Sequence, residues 1–587
     1  MQRKLDVLRL TGLLAITGVC LSGACFCGSH SARAETPLMQ DQTQSDATQQ
    51  AAALQGADAA FHAGYAAMQA GDMEAARSNF VEAVHLAPRL PEAHLALGAI
   101  LVQLARPAEA IPELQIALQL KPGDAMTYAN LSLAQEALAQ SYVSAGKLPE
   151  AELQFRAALT ATGAAPQPDL ERQAEILDKL GSLLAQESRW HEAEAAFRDS
   201  LQYSPSGPVS IAAHMHLGVT LGEEKQYGPA LAELDKAVEL APTNAMTQFE
   251  LGRVLAASGQ DTEAVPHLEE ALKLSPDLRG AALALAMAHQ RLGKQEESIP
   301  LFRKAVEQEP KNATAFTNLA LALTETGKAR ESIPFYEQAL AITPNDPVVH
   351  EDLGVAYLQQ SDFDNAIAQF EKARTLDSAN PQLHYDLGLA YKLKDRVNDA
   401  IVELSRAASL DPTLSDPPYT LGILYMQVGR LEEAATQLHV ALGLRPENGD
   451  CWAILGSVLK QLNRPDDAVA ALRKAVELLP NQPGPHITLA GVLSEQGKHD
   501  EATAERKIAA QLSRSAVNHQ RAMLNTNAGN QLLLRGQVAD AVERYMEAIA
   551  ADPGYTEAHQ QLAVAYTRQG RMAEAEAERV KAETKEK

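Results

Sequence analysis

From residue 57 onward, apolar and small residues recur with a period of 34. Each period holds two stretches with apolar side chains three and four apart, the spacing of an amphipathic helix. In Pro381–Leu414 the first stretch is PQLHYDLGLAYKLK and the second is VNDAIVELSRAASL, which ends before Asp411-Pro412. Long β-branched runs with period two are missing, so no sheet is predicted. Self-similarity at this period predicts an array of helical hairpins.

Numbering every copy from 1 to 34 exposes its grammar. Position 8 is tiny in every copy: Gly in ten, among them Gly64, Gly98, Gly388 and Gly529, and Ala in five. Gly inside a helix costs up to about 1 kcal/mol relative to Ala, so its recurrence needs a packing reason. The reason expected is that the second helix (helix B) crosses the first (helix A) here. Position 20 is Ala in thirteen copies and Ser in two, and position 27 is Ala in fourteen. Position 24 supplies bulk, as in Phe80, Phe197, Phe370 and Tyr545, but Arg506 and Arg579 stand there in copies thirteen and fifteen. Position 32 is Pro in eleven copies, which ends helix B and turns the chain into the next helix A.

This order of small, large, small and proline resembles the tetratricopeptide repeat family, over roughly residues 57–587 and about fifteen copies. The resemblance implies an all-α, right-handed superhelical solenoid of tandem helix-turn-helix hairpins. Helix A would line a concave groove, and each copy would pack only on its neighbours.

The register breaks in two places. The third copy carries about seven extra residues (Gln135–Ser141), and Pro166–Gln173 precede the fourth; Val517–Arg521 precede the fourteenth. Three blocks are therefore expected: 57–165, 166–516 and 517–587. Ahead of them, residues 2–9 are basic on balance, 10–24 are apolar and small, and Ala32-Arg33-Ala34 closes the segment. These are the parts of a secretory signal, cut after Ala34, in 1–34. The competing readings are lipidation at Cys25 and an uncleaved anchor. Residues 35–56, rich in Gln, Asp, Thr and Ala, read as a disordered polar leader. The expected location is periplasmic or secreted, with membrane attachment only if the signal is uncleaved or lipidated.

Composition sharpens this picture. Apolar residues make up 46% of the 587, but aromatics only 5%, so the core is Ala- and Leu-based. The net charge of −24 excludes a nucleic-acid partner. Of four cysteines only Cys451 lies beyond the N-terminal segment, so the cut chain can form no internal disulfide. Twelve copies carry Asp or Glu at position 19, in the first turn of helix B, where negative charge complements the helix dipole. Six histidines share position 4: His94, His214, His350, His384, His486 and His559. In the family this slot holds a large side chain, so they are read as packing substitutes, and His214-x-His216 is not read as a metal site. No phosphate loop, nucleophile elbow or zinc-protease motif is present, so no enzyme, metal or cofactor is expected.

If helix A faces inward, positions 2, 5, 6, 9 and 12 line the groove. The candidate partner-binding residues are Met215, Met246, Phe249, Met287, Asn318, Asp352, Tyr385, Asp386, Leu389, Tyr419, Ile423 and Met426. Met and Tyr are adaptable anchors, although neighbouring repeats could bury several of them. Arg253 and Lys392 are the only basic residues at these positions in the central copies. The groove is thus expected to take an extended or helical protein segment, apolar in the middle with acidic flanks. Replacing Tyr385, Tyr419 and Met426 by Ser is expected to abolish capture without unfolding the array. The expected role is an interaction scaffold of the cell envelope. The alternative is a non-catalytic subunit of an envelope enzyme complex, such as a glycosyltransferase or a protein-processing assembly.

Overall fold

The computed structural model describes residues 37–583. The expected signal, 1–34, lies outside them. The described residues form twenty-nine α-helices and no strand. They fall into two compact units, one ending at Pro242 and the next beginning at Thr243. The first holds five hairpins and the second ten, so the division falls between two repeats. The boundaries expected at 165/166 and 516/517 do not coincide with it. No helix among the described residues is long and apolar enough to cross a membrane.

Two helices depart from the expected outline. Helix Pro37–Gln69 runs through most of the segment expected to be a disordered leader. Residues 38–55 contain neither Pro nor Gly and are rich in Ala and Gln, so nothing in them stops a helix begun at Pro37. Helix His499–Leu534 is 36 residues long and fuses helix B of copy thirteen to helix A of copy fourteen. Position 32 of copy thirteen is Arg514 instead of proline, and 513–521 offer no breaker. The expected joint at 516/517 is therefore continuous helix. The seven extra residues of copy three are two helical turns in Ala125–Ser144, which leave its packing face unchanged.

The crossing is as predicted in the ten copies with Gly at position 8, and its partner is specific. A Cβ on Gly64 would stand 2.6 Å from Phe80 Cε1, one on Gly388 2.7 Å from Leu404 Cγ, and one on Gly529 2.5 Å from Tyr545 Cε1. Position 8 thus meets position 24 of its own copy. Phe370, Leu404 and Tyr545 are fully buried there. Positions 20 and 27 are buried in all fifteen copies; where Ser replaces Ala the hydroxyl donates to a backbone carbonyl, as Ser200 does to Ala174 at 2.8 Å.

A second constraint sits in the turn. The residue at position 15 adopts a positive φ in every copy: Gly in nine, but Ala105, Ser188, Lys225, Ser361, Asp395 and Asn463 in the others. This left-handed residue ends helix A and points the chain into helix B. The turn is completed by a bond such as Arg396 N–H to Tyr391 C=O at 2.8 Å.

The position-4 histidines are buried or half-buried as expected, but they do more than fill space. His94 Nδ1 lies 2.7 Å from Glu113 Oε2, and its Nε2 lies 3.1 Å from the carbonyl of Pro88 in the preceding copy. His384 repeats this with Glu403 (2.6 Å) and Ser378 (3.2 Å), and His559 with Glu578 (2.5 Å) and Pro553 (3.2 Å). His214 meets Glu233, His350 meets Gln369 and His486 meets Glu505. Each partner stands 19 residues on, at position 23. In copy six the pair is inverted: His267 at position 23 faces Gln248 at position 4, at 2.8 Å. In copies two, nine, ten and fifteen the histidine at position 4 therefore ties helix A to helix B and to the end of the preceding repeat. Trp452 makes the second of these ties through its indole N–H, which donates to Pro446 C=O of the preceding repeat at 2.8 Å. Of the tempting pair, His214 is held by Glu233, and His216 by Asp178 at 2.9 Å.

Two outcomes follow for stability, both read by urea unfolding and by hydrogen exchange of the affected hairpin. Gly388→Leu overpacks the crossing and lowers stability by about 1–3 kcal/mol, whereas Ala105→Gly relieves a left-handed alanine and raises it by up to about 1 kcal/mol. His94→Leu strands the half-buried Glu113, whose partner is His94 alone, and costs about 1 kcal/mol; adding Glu113→Gln to give two neutral partners, or installing the copy-six inversion His94→Gln with Glu113→His, recovers most of that loss. Equal destabilisation by the single and inverted variants would remove the clamp from the account.

Candidate functional site

Helix A of copies nine to eleven (Pro347–Gln359, Pro381–Leu393 and Asp416–Gln427) carries most of the candidate residues in the second unit. Their helices begin with caps that fix the register of the face. Asp346 and Asn380 accept backbone N–H bonds from the first turns of the first two. Positions 5 and 6 then project side by side.

The carboxyls pushed furthest above their ordinary range among the described residues lie here. Glu351, Asp352 and Asp386 are half-buried, and none is in an ion pair among the described residues. Burial, with Asp386 and Asp352 nearby, pushes the Glu351 carboxyl up to about 7. Burial, with Asp346 and Glu325 nearby, pushes Asp352 up to about 6. Asp386 reaches about 6 by burial, partly relieved by the Gln382 amide that donates to it at 3.1 Å. Asn380 donates to Glu351 at 2.8 Å, which moderates but does not cancel the penalty. Further along the face, burial and Asp416 hold the Tyr385 phenol above its ordinary range, and burial and Asp450 do so for Tyr419. The arrangement is a strip of desolvated carboxylates beside aromatic rings, with no ion-paired cation among the described residues.

The structure sorts the candidate residues into three groups. Asp352 and Asp386 are brought together with Glu351, which the sequence reading passed over. Met246 is 40% exposed at the start of the second unit, and Phe249, Leu389 and Ile423 are half-buried. Met287, Tyr385, Tyr419 and Met426 pack against the buried cores of their hairpins. Asn318 turns back to donate to Thr314 C=O on its own helix at 3.0 Å. Met215 is half-buried in the first unit. This corrects one expectation: the Tyr385, Tyr419 and Met426 triple replacement removes core packing, so it acts on stability as well as on any binding. Cys451 is fully buried, and burial pushes its thiol up to about 12.

The position-19 carboxylates behave as expected and more. They stand in the first turns of the B helices, and several are gripped by an arginine three residues earlier, as Asp399 by Arg396 and Glu109 by Arg106, both at 2.7 Å. Arg396, Arg430 and Arg571 also lie over Tyr391, Tyr425 and Tyr566, 4.1–4.5 Å from the ring centres. That acidity is neutralised where it stands; the strip on copies nine and ten is not.

Comparison with known families matches the same repeats. Tetratricopeptide-repeat models match residues 48–125, 179–245, 217–279 and 419–483, and, for a second model, 357–419 and 532–578. A model of the Psidin N-terminal TPR repeats region matches 255–385. No curated protein sequence matches the chain significantly. Among solved structures, MamA is 25% identical, covering 28% of this chain and 96% of its own, with a TM-score of 0.28. YrrB, described as a TPR protein with an unusual peptide-binding site, is 23% identical over 31% of this chain and 95% of its own, with a TM-score of 0.29. MamA residues 41-end from Desulfovibrio magneticus RS-1 is 21% identical over 29% of this chain and 95% of its own, with a TM-score of 0.28. These chains match less than a third of this one, and no functional statement follows from them.

The raised carboxyls set a pH dependence whose sign is opposite to that of a salt-bridged acid. The folded chain holds protons on Glu351, Asp352 and Asp386 that the unfolded chain would release, so their penalty is full above pH 7 and fades as the pH falls towards about 4. Asp352→Asn with Asp386→Asn therefore stabilises the chain by about 1–3 kcal/mol at pH 8 and by much less at pH 5. Denaturation at the two pH values checks this; a gain that is equal at both would show that charge is not its cause.

Proposed function

We propose that the chain, which belongs to the tetratricopeptide-repeat family, is a non-catalytic interaction scaffold of the cell envelope. Its binding face is the helix-A face of copies nine to eleven. The occupant is an extended or helical protein segment that offers Lys or Arg to the carboxylates and apolar side chains to the rings around Tyr385 and Tyr419. The observation that carries this reading is the strip formed by Glu351, Asp352 and Asp386. Carboxylates half-buried without a counter-ion cost free energy in the free protein. A cationic partner removes that cost on binding, so the penalty becomes affinity and specificity.

Catalysis is not part of the reading, because the repeat pattern accounts for nearly the whole chain after residue 57 and its buried polar groups serve repeat packing. The envelope location rests on the basic, apolar and Ala-x-Ala sequence of residues 1–34.

Affinity capture from envelope extract, with mass spectrometry of what is retained, tests both parts. The purified native chain is expected to begin at Glu35 and to retain a defined set of proteins. Asp352→Lys with Asp386→Lys should lose at least tenfold of that set while keeping the helical content of the wild type. Retention unchanged by the two lysines would overturn the assignment of the face, and a native chain that keeps Met1 and stays in the cytosol would overturn the location.

A further inference from the structure

The fused helix His499–Leu534 breaks the charge pattern of the chain. From Arg506 to Arg535 there are five cations (Arg506, Lys507, Arg514, Arg521 and Arg535) and no Asp or Glu, within a protein of net charge −24. None of the five takes part in an ion pair among the described residues, and all are exposed. Elsewhere in the array arginines such as Arg291, Arg374 and Arg396 are held by carboxylates.

The cause lies in the five extra residues of this copy. At 100° per residue, Ala502 and Ala509, which pack on copy thirteen, point about 160° away from Ala522 and Gly529, which pack on copy fourteen. Between them, residues 514–521 are exposed on every side of the helix. Lys507, Arg514 and Arg521 are spaced by seven, so they share one face, and Val517 and Leu524 interleave with them at three- and four-residue steps. Those two apolar side chains are 56% and 63% exposed. The middle of the helix is steadied by His519, whose Nδ1 lies 2.9 Å from Asp552 and whose ring meets Tyr555 edge-on.

We propose that this basic and apolar helix face docks on the acidic helix-A face of a second copy of the chain, with Arg514 and Arg521 supplying the cations that Glu351, Asp352 and Asp386 lack. Charge complementarity selects this occupant. The rest of the chain is even more acidic than the whole, so it repels an anionic lipid surface and attracts a cationic helix. The two faces lie on different repeats, so the contact is heterologous and each added copy presents both faces again. The result is open-ended, salt-sensitive association. The inference rests on the proposed binding face, and its test is built to fail separately from it.

Sedimentation velocity of the full chain at increasing concentration, in ~20 mM and ~500 mM NaCl, is the measurement. Wild type is expected to form a rising series of species at low salt and to revert to monomer at high salt. Arg514→Glu with Arg521→Glu, and separately Asp352→Lys with Asp386→Lys, should each weaken association at least tenfold, and the four changes together should restore it. A wild type that is monomeric in low salt, or an association that ignores both pairs of changes, overturns the proposal. So does binding to phosphatidylglycerol vesicles, but not to phosphatidylcholine vesicles, that is lost in Arg514→Glu with Arg521→Glu while the protein stays monomeric; that outcome assigns the helix to lipid. Capture of envelope proteins that depends on Asp352 and Asp386 without self-association leaves the binding face standing and removes only the second copy from it.

Discussion

The approach of helix B to helix A at position 8 is the constraint from which the rest of the structure follows. With Gly there, the position-24 side chain settles on the backbone of helix A and is wholly shielded from water. A buried Phe or Leu contributes about 1.5–3 kcal/mol by leaving water, which outweighs the roughly 1 kcal/mol lost to a helical glycine. The close crossing brings position 4 within reach of position 23, and it fixes the angle at which helix B delivers its end to the next copy. The left-handed residue at position 15 and the clamp at position 4 are both consequences of that spacing. A single distance, held by one small side chain per copy, is thus propagated along the array.

The fold was legible because this constraint leaves a trace at fixed intervals. Small residues at 8, 20 and 27, bulk at 24 and proline at 32 are side-chain volumes and a ring, and sequence records them directly. What escaped was relational. The residues at position 15 share a φ and no side-chain property, since Gly, Ala, Ser, Lys, Asp and Asn all stand there. The histidines were seen as a column, but their meaning lay in a second column 19 residues on, where Glu or Gln faces each of them. The inverted pair Gln248 and His267 is visible in the sequence once the two columns are set side by side. The helical leader and the fused helix were missed for another reason. Both were inferred from polarity or from lost register, whereas helices end only where something ends them.

The candidate site divides along the same line. Its carboxylates were identified singly, because Asp352 and Asp386 recur at one position. Their strength as a site comes from Glu351, from burial by the neighbouring repeat and from the lack of any cation, none of which is a property of one residue. The apolar candidates were less legible. Met and Tyr on a helix face serve a ligand or the next repeat equally well, and hydropathy does not distinguish the two. Tyr385, Tyr419 and Met426 pack against buried cores that span several repeats.

Charge in this protein therefore has two populations. The acid in the first turn of twelve B helices complements the helix dipole, and several of these carboxylates are also matched by an arginine three residues earlier, so it belongs to the architecture. The acid on copies nine and ten is unmatched, and so are the cations of the fused helix. A chain that neutralises its charges locally at most repeats, and leaves one strip of each sign exposed to partners, keeps solubility and recognition apart. The packing positions of the repeat carry the first; the positions that packing leaves free, on regular copies nine and ten and on the irregular fused helix, carry the second. In a solenoid, where each copy contacts only its neighbours, a local charge or an inserted turn is tolerated because its cost stays local, which frees single copies to depart in charge or in register from the rest.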